Sequence, residues 1–455
     1  MAIDRTLDFN ALRGGHRGEV IDPAHAGYDE ARRVWNGMID RRPALIARCN
    51  DLDDVVAAVN FARNQGLPIA VRGGGHSAAG QAVGDGALVI DLAALNEVAV
   101  DPAARTARAG GGTKWGGFDA ATSAHGLATT GGAISTTGIA GLTLGGGLGF
   151  LMRQYGLACD NLRAAEVVTA NGEIVRASAS ENQELLWGLR GGGGNFGVVT
   201  GFEFDLHPVP EVTAGMLIHP ADRAREVLQF YREACANAPD DLVIFAALLN
   251  SPEGMPIAAM IPCFSGPAEN AEAVVGPLRA FGPPVAGEVG PMPYPAMQSM
   301  LDEGFPSGLQ VYWTGHFLTG LPDEAIDIAL DAFGRIPSPL SAILFEQLGG
   351  AVARVGPDET AFDHRDAAFN MAIISRWTSQ DQAEASIAWT RDLSAAMKPF
   401  ARGAYVNYLG VGDASDRVRA AYGDAKYNRL AELKARFDPE NLFRFNQNIT
   451  PKAAG

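Results

Sequence analysis

Val71-Arg72-Gly73-Gly74-Gly75-His76-Ser77 follows a short strand-like run, Ile69 to Val71, and a helix-like stretch before it, Asp51 to Gln65. Acidic residues between Asp51 and Asp54 suit the first turn of that helix, and Val55, Val56, Val59 and Ala62 recur at helical spacing. Gly66 and Pro68 stop it. Three consecutive glycines after a strand can present successive N–H groups without Cβ obstruction, which makes a concavity suited to phosphate. Arg72 adds positive charge. Two further clusters follow, Gly138-Ile-Ala-Gly141-Leu-Thr-Leu-Gly145-Gly146-Gly147-Leu-Gly149 and Gly191-Gly-Gly-Gly194-Asn195-Phe-Gly197. Each alone could be a tight turn. Three in one domain point to a long ligand with a pyrophosphate, hence a dinucleotide.

Other phosphate and catalytic signatures are missing. No G-x-G-x-x-G joins a strand to a helix with an acid about 20 residues on. Lys114 lies in Gly-Gly-Thr-Lys-Trp and is no P-loop lysine. H-E-x-x-H and G-x-S-x-G are absent. Asp363-His364-Arg365 could be a metal fragment, but a structural or pocket role suits it better.

The chain has 455 residues, 47% hydrophobic and 19% charged, which suits two domains with sizeable cores. A net charge of −16 argues against nucleic acid or an anionic membrane as partner. Glycine is the outlier at 55 residues. Cys49, Cys159, Cys235 and Cys263 form no C-x-x-C pair, so neither a zinc site nor a disulfide framework is expected. Met1 to Asn10 carries three charges and no apolar core, unlike a signal peptide. No apolar run approaches the ~18 residues of a membrane span. A cytoplasmic protein is expected.

Further along, Leu88 to Leu92 and Thr106 to Ala109 read as strands flanking a turn at Asp101-Pro102. Val167 to Arg176 reads as a hairpin around Asn171-Gly172, and Gly197 to Leu206 as another strand. After Pro208 and Pro210 the glycine runs stop. Strands are expected at Leu242 to Leu249, Met255 to Phe264, Leu309 to Leu318, Ile343 to Val355 and Asn370 to Trp377. Helices are expected at Ala268 to Phe281, Asp323 to Phe333, Gln382 to Met397 and Asn428 to Phe437. This interleaving suits an open sheet covered on one face.

The long motifs Val71–Ser77, Thr137–Gly147, Tyr155-Gly-Leu-Ala-Cys-Asp-Asn161 and Arg190–Thr200 together resemble the FAD domain of the berberine bridge enzyme-like oxidases, flavoproteins of the vanillyl-alcohol oxidase type. Phe437-Asp-Pro-Glu-Asn-Leu-Phe-Arg-Phe-Asn446 resembles that family's closing motif. The resemblance implies an α+β fold: a PCMH-type FAD-binding domain of two α+β subdomains, and a substrate domain with a large antiparallel sheet covered by helices. The boundaries are drawn at 1–210 for the FAD domain, 211–404 for the substrate domain and 405–455 for a segment returning to the FAD domain. The cofactor contacts then fall on Arg72, Gly73, Gly74, Gly75, His76, Ser77, Gly80, Thr137, Gly138, Gly141, Gly146, Gly147, Gly149, Val199, Asn446 and Asn448. His76 stands where the family attaches the flavin 8α-methyl to a histidine ring nitrogen. A second, cysteinyl bond is not expected, because Ile134 occupies the cysteine's place and Cys159 lies in a different motif. Thr137 falls where oxidases of the family often have valine, and its similar shape suits O2 access.

Tyr408 matches the place of the family's tyrosine base in alcohol and sugar oxidases. The groups that support this base in plant members correspond here to Ala78, Leu148 and roughly Ile373. Read as a strand, Tyr405-Val-Asn-Tyr408 puts Tyr405 and Asn407 on one face and Val406 and Tyr408 on the other. Further pocket candidates are Gln310, Tyr312, Thr314 and His316 on one face of their strand, and Glu346 or Gln347, depending on register. The expected reaction is hydride transfer from a small CH–OH substrate to covalent FAD, with O2 as acceptor. Amine oxidation, oxidative tailoring in a biosynthetic pathway and a non-catalytic nucleotide-binding role are the competing readings.

Overall fold

The computed structural model describes residues 9–412 and 415–453. Most of the Met1 to Asn10 segment therefore lies outside the described residues.

The first sheet is built around the helix Leu52–Gln65. The Asp51 side chain caps it by accepting the Asp54 N–H, and Gly66 ends it in the left-handed conformation at φ 66°. Its buried face, Val55, Ala58, Val59 and Ala62, packs on the sheet. The strands Leu45–Arg48, Leu88–Asp91 and Ile69–Arg72 run parallel, with Val20–Ile21 antiparallel at the edge. The glycine run 73–75 therefore emerges from the end of a strand.

A second, antiparallel sheet follows the order Val98–Asp101, Thr106–Gly110, Val198–Asp205, Leu162–Val168, Ile174–Ser178. The Asn171-Gly172 hairpin forms, pairing Val167 with Val175. The turn after Asp101 does not link the strands expected there. It joins Thr106–Gly110 to an intervening strand, Val98–Asp101, while Leu88–Asp91 belongs to the first sheet.

Apart from the short antiparallel pair Leu127–Ala128 and His207–Pro208, the remaining strands form one nine-stranded antiparallel sheet from Val212 to Gly403. Its two faces have different partners. Leu242, Ile244, Ala246 and Leu248 share a core with the helices Ala224–Asn237, Asp323–Phe333 and Ala383–Met397. Val243 and Phe245, pointing the other way, pack with Leu148, Phe150, Met152 and Cys159 of the first half of the chain. A sheet buried on both faces reads as continuous apolar sequence. One expected strand is shorter: Ala342–Gln347 ends before Gly349 and Gly350, both at positive φ, and a short helix Ala351–Arg354 follows.

The C-terminal helix Ser415–Phe437 is interrupted at Gly423, where φ is 67° and ψ 162°. It returns to the first half of the chain, and Leu430 and Leu433 join the core around Trp187 and Phe196. Beyond it the Ile69 N–H donates to Leu442 O at 2.9 Å, so the closing motif lies against the strand that leads to His76. Among the described residues no helix is long and apolar enough to cross a membrane.

Candidate active site

A cavity runs between the glycine loops and the face of the large sheet that turns toward the first half of the chain. Gly73, Gly74, Gly75, His76 and Ser77 line it, with Thr137, Gly138 and Gly141 of the second cluster and Gly193 and Gly194 of the third. Val199, Phe443, Phe445, Asn446 and Gln447 close another side. A Cβ on Gly74 would lie 2.4 Å from the Gly138 nitrogen, so the first two loops touch backbone to backbone. A Cβ on Gly141 or Gly194 would meet nothing within 4 Å and would instead enter open space. Asn446 donates through Nδ2 to Gly194 O at 3.0 Å, while its buried Oδ1 has no partner. An elongated, glycine-walled groove with an unanswered acceptor at its edge fits a dinucleotide cofactor.

Other expected contacts lie elsewhere. Arg72 turns away from the cavity: its guanidinium donates to Asp91 Oδ2 at 2.7 Å and to Ala31 O at 2.5 Å, so its charge is already neutralised. Gly80 packs on Ile39, Gly146 on Phe362 and Tyr405, Gly147 on Ala158, and Gly149 on Gly131. These four glycines permit close packing behind the wall. Asn448 is also absent from the lining, and its buried Oδ1 has no partner.

His76 is half-buried, and burial pushes its imidazole down to about 4. The ring is therefore neutral at physiological pH. Its Nε2 lies 3.4 Å from Thr136 Oγ1. Ile134 is in the cavity wall, whereas Cys159 is buried in the core beneath the large sheet. Burial raises the Cys159 thiol well above its ordinary value, which suits an inert packing role.

At the far end stand Trp313, Leu344, Ile374, Leu148 and Phe305, with Tyr408 and Glu346. Tyr408 is not on a strand. Val406–Tyr408 is a single 3₁₀ turn, so the expected alternation fails. Tyr405, Asn407 and Tyr408 all reach the cavity wall. The Tyr405 hydroxyl accepts from Gly147 N and from Asn407 Nδ2, both at 2.8 Å. Tyr408 donates to Glu346 Oε1 at 3.1 Å, and the other Glu346 oxygen accepts from Asn370 Nδ2. Glu346 is 3% exposed, and burial lifts its carboxyl to about 7 against the pull of these two hydrogen bonds. Burial and the neighbouring Glu346 charge hold the Tyr408 hydroxyl well above its ordinary value.

The polar residues Gln310, Tyr312, Thr314 and His316 occupy the opposite face of their strand. Gln310 accepts from Trp377 Nε1, Tyr312 from Arg391 Nε and Thr314 from Arg417 Nη1, while His316 bonds Ser394. Trp313, between them, faces the cavity. Gln347 likewise points away, bonding Ile244 N and Cys235 O. Of the three positions matched to the plant base-supporting groups, only Leu148 lines the cavity. Ile373 lies in the helix-side core, and its neighbour Ile374 takes the cavity side. Arg365 is bound to Asp160 at 2.6 Å, and the described residues contain no cluster that could hold a metal.

The chain is similar to known proteins along nearly its whole length. The FAD binding domain family matches residues 43–178, and the berberine and berberine-like family matches residues 404–450. An FAD-linked oxidoreductase of Dictyostelium discoideum is 34% identical over 92% of this chain and 91% of its own. The (R)-6-hydroxynicotine oxidase of Paenarthrobacter nicotinovorans is 32% identical over 96% of this chain and 98% of its own. The crystal structure of 6-hydroxy-D-nicotine oxidase from Arthrobacter nicotinovorans superposes with a TM-score of 0.89 at 30% identity, covering 96% of this chain and 98% of that one. Fold and cavity define an FAD-dependent oxidoreductase. Within that class, the chain belongs to the berberine bridge enzyme-like family.

Proposed function

We propose that the enzyme oxidises a small organic substrate at a CH–OH carbon, using FAD bonded through His76 and O2 as the electron acceptor. The observation that carries this reading is the Tyr408–Glu346 hydrogen bond inside the glycine-lined cavity. FAD, when bound, supplies the ring that accepts the hydride. Gly73 to Ser77, Thr137, Gly138, Gly141, Gly194 and Asn446 would hold it.

Tyr408 by itself is protonated at neutral pH and cannot take a proton unaided, because its hydroxyl is held above the reference value near 10. Glu346 supplies the missing acceptor, since a carboxyl near 7 is matched to neutral pH. As the substrate hydroxyl passes its proton to Tyr408 Oη, Tyr408 passes its own to Glu346 Oε1. No tyrosinate has to persist. Asn370 keeps the carboxylate aimed at Tyr408. Thr137 in the wall, close to valine in shape, supports the assignment of O2.

One observation favours a second reading. Among the described residues that line the cavity Glu346 is the only carboxylate, and the nearby lining residues Trp313, Leu344 and Ile374 are apolar. An ionised, buried carboxylate can pair with an ammonium group. A relative 32% identical is a hydroxynicotine oxidase, so an amine is the alternative substrate. Tyr408 would then orient Glu346 and transfer no proton. Anaerobic bleaching of the flavin by a panel of alcohols, phenols and amines tests the choice. Bleaching by amines alone would remove the CH–OH reading.

Attachment is tested separately. Acid-precipitated protein is expected to retain yellow flavin, and His76→Ala to release it. Mass spectrometry of digested wild type should find FAD on the His76 peptide and none on the Cys159 peptide. A colourless wild-type pellet would refute the covalent assignment.

A further inference from the structure

Trp35 contacts the flavin-linking loop in a way that no motif announces. Its indole stacks on the His76 imidazole with ring centroids 4.4 Å apart and planes 18° from parallel. The Trp35 N–H donates to Gly75 O at 3.0 Å, on the residue just before His76. Indole Nε1 donates to Phe305 O at 3.1 Å, and Gly308 N donates to Trp35 O at 2.9 Å. The next residue continues the seam: Asn36 Nδ2 donates to Ala78 O at 2.6 Å and to Val311 O at 2.8 Å, and Asn36 Oδ1 accepts from Val311 N at 3.0 Å. Trp35 and Asn36 thus bracket residues 75–78 on both sides and tie them to the large sheet. Only 6% of Trp35 is exposed.

We propose that Trp35 is a positioning residue for flavin attachment, its flat face holding the His76 ring in the orientation from which the bond to the cofactor forms. This rests on the reading of His76 as the attachment site. The loop itself supplies little restraint, because His76 follows three glycines and Gly75 sits at φ 68°. Apart from Thr136 at 3.4 Å, no side chain among the described residues makes a polar contact with the ring. A face-to-face contact fixes both ring torsions at once. The same burial keeps the ring neutral, so that a nitrogen lone pair is available.

A bond forms between the ring nitrogen and the flavin 8α-carbon, breaking one methyl C–H and the imidazole N–H. The isoalloxazine ring takes up the two electrons and two protons, and O2 then reoxidises it, yielding hydrogen peroxide. His76 contributes the nucleophile, and Trp35 contributes only its orientation.

The test compares wild type, Trp35→Leu, Trp35→Phe and His76→Ala, each purified and incubated with FAD while acid-insoluble flavin is followed over time. Total bound FAD and the melting temperature are measured alongside. Trp35→Leu is expected to bind FAD yet attach it roughly 10- to 100-fold more slowly, the scale on which misorientation acts. Trp35→Phe, which keeps a flat face but loses the bond to Phe305 O, is expected to attach near the wild-type rate. Should Trp35→Leu fail to bind FAD, Trp35→Met, whose unbranched chain adapts to the gap without presenting a flat face, carries the same expectation. Attachment at the wild-type rate in the Leu or Met variant would overturn the proposal. So would a Phe variant as slow as Leu. Acid-insoluble flavin persisting in His76→Ala, or missing from wild type, would instead overturn the attachment reading on which the proposal stands.

Discussion

Tyr408→Phe is expected to slow anaerobic flavin reduction by an alcohol or phenol roughly 10²–10⁴-fold, the range assigned to general acid–base catalysis. Substrate binding should change little, because the ring and its contact with Trp313 remain. Glu346→Gln should lose a comparable factor, since the amide cannot take the proton that Tyr408 passes on. The pH profile separates the two residues from mere packing groups. Wild-type reduction should rise as pH passes through about 7, where Glu346 ionises, and the Gln variant should lose that limb. Stability should move the opposite way. The folded carboxyl titrates near 7, above its ordinary value of 4.5, so burial imposes no charge penalty below about 4.5 and its full penalty above 7. Stability is thus lost as pH rises between those values. Glu346→Gln should regain on the order of 3 kcal/mol at pH 8 and nothing at pH 4, as read by denaturant unfolding at both values. An amine substrate changes the kinetic forecast: Tyr408→Phe would then cost only a few-fold. Rapid mixing across pH with both variants decides the matter, and a near-wild-type rate on an alcohol would remove Tyr408 from the proton path.

The second large effect is structural. Asp438→Ala is expected to destabilise the protein by about 3–5 kcal/mol, the usual cost of stranding a buried charge. Lys434 and Asp438 are both fully buried, and the ammonium donates to Asp438 Oδ2 at 2.6 Å and to Asn195 O and Phe443 O at 2.8 Å. The Asp438 carboxylate also accepts from Leu442 N and Phe443 N. One ion pair therefore fastens the closing motif to the third glycine loop, both of which line the cavity. Removing both charges in Lys434→Met/Asp438→Leu should cost less than Asp438→Ala alone, since no uncompensated ion remains. Urea unfolding measures the difference. Equal losses in the single and double variants would show that the carboxylate's backbone contacts, and not the stranded ammonium, set the cost.

Much of the cofactor half was legible along the chain because its determinants are local. Glycine runs bare their N–H groups whatever surrounds them, and Asp51 and Gly66 cap their helix within a few residues of sequence. The long family motifs placed His76, Thr137 and Asn446 near one another without any three-dimensional information. Glycines alone do not distinguish a loop that faces a ligand from one that lets chains pack closely, so the motifs do not separate Gly80, Gly146, Gly147 and Gly149, which lie behind the wall, from the glycines that line it.

The substrate half was decided by tertiary structure. Alternation separates Gln310, Tyr312, Thr314 and His316 from Val311 and Trp313, but it cannot say which set meets the ligand. The helix Ala383–Met397 covers the polar face and engages Tyr312 and His316, which leaves Trp313 to the cavity. The same choice of covered face selects Glu346 over Gln347. Arg72 looked free for a phosphate until the parallel pairing of its strand with Leu88–Asp91 set Asp91 beside it. Tyr408 and Glu346 stand 62 residues apart, and Trp35 and His76 lie on separate segments. A run of sequence by itself determines backbone conformation and the pattern of faces, because those depend on neighbouring residues. Which groups share a desolvated space depends on what packs over each face, and only the folded chain decides that.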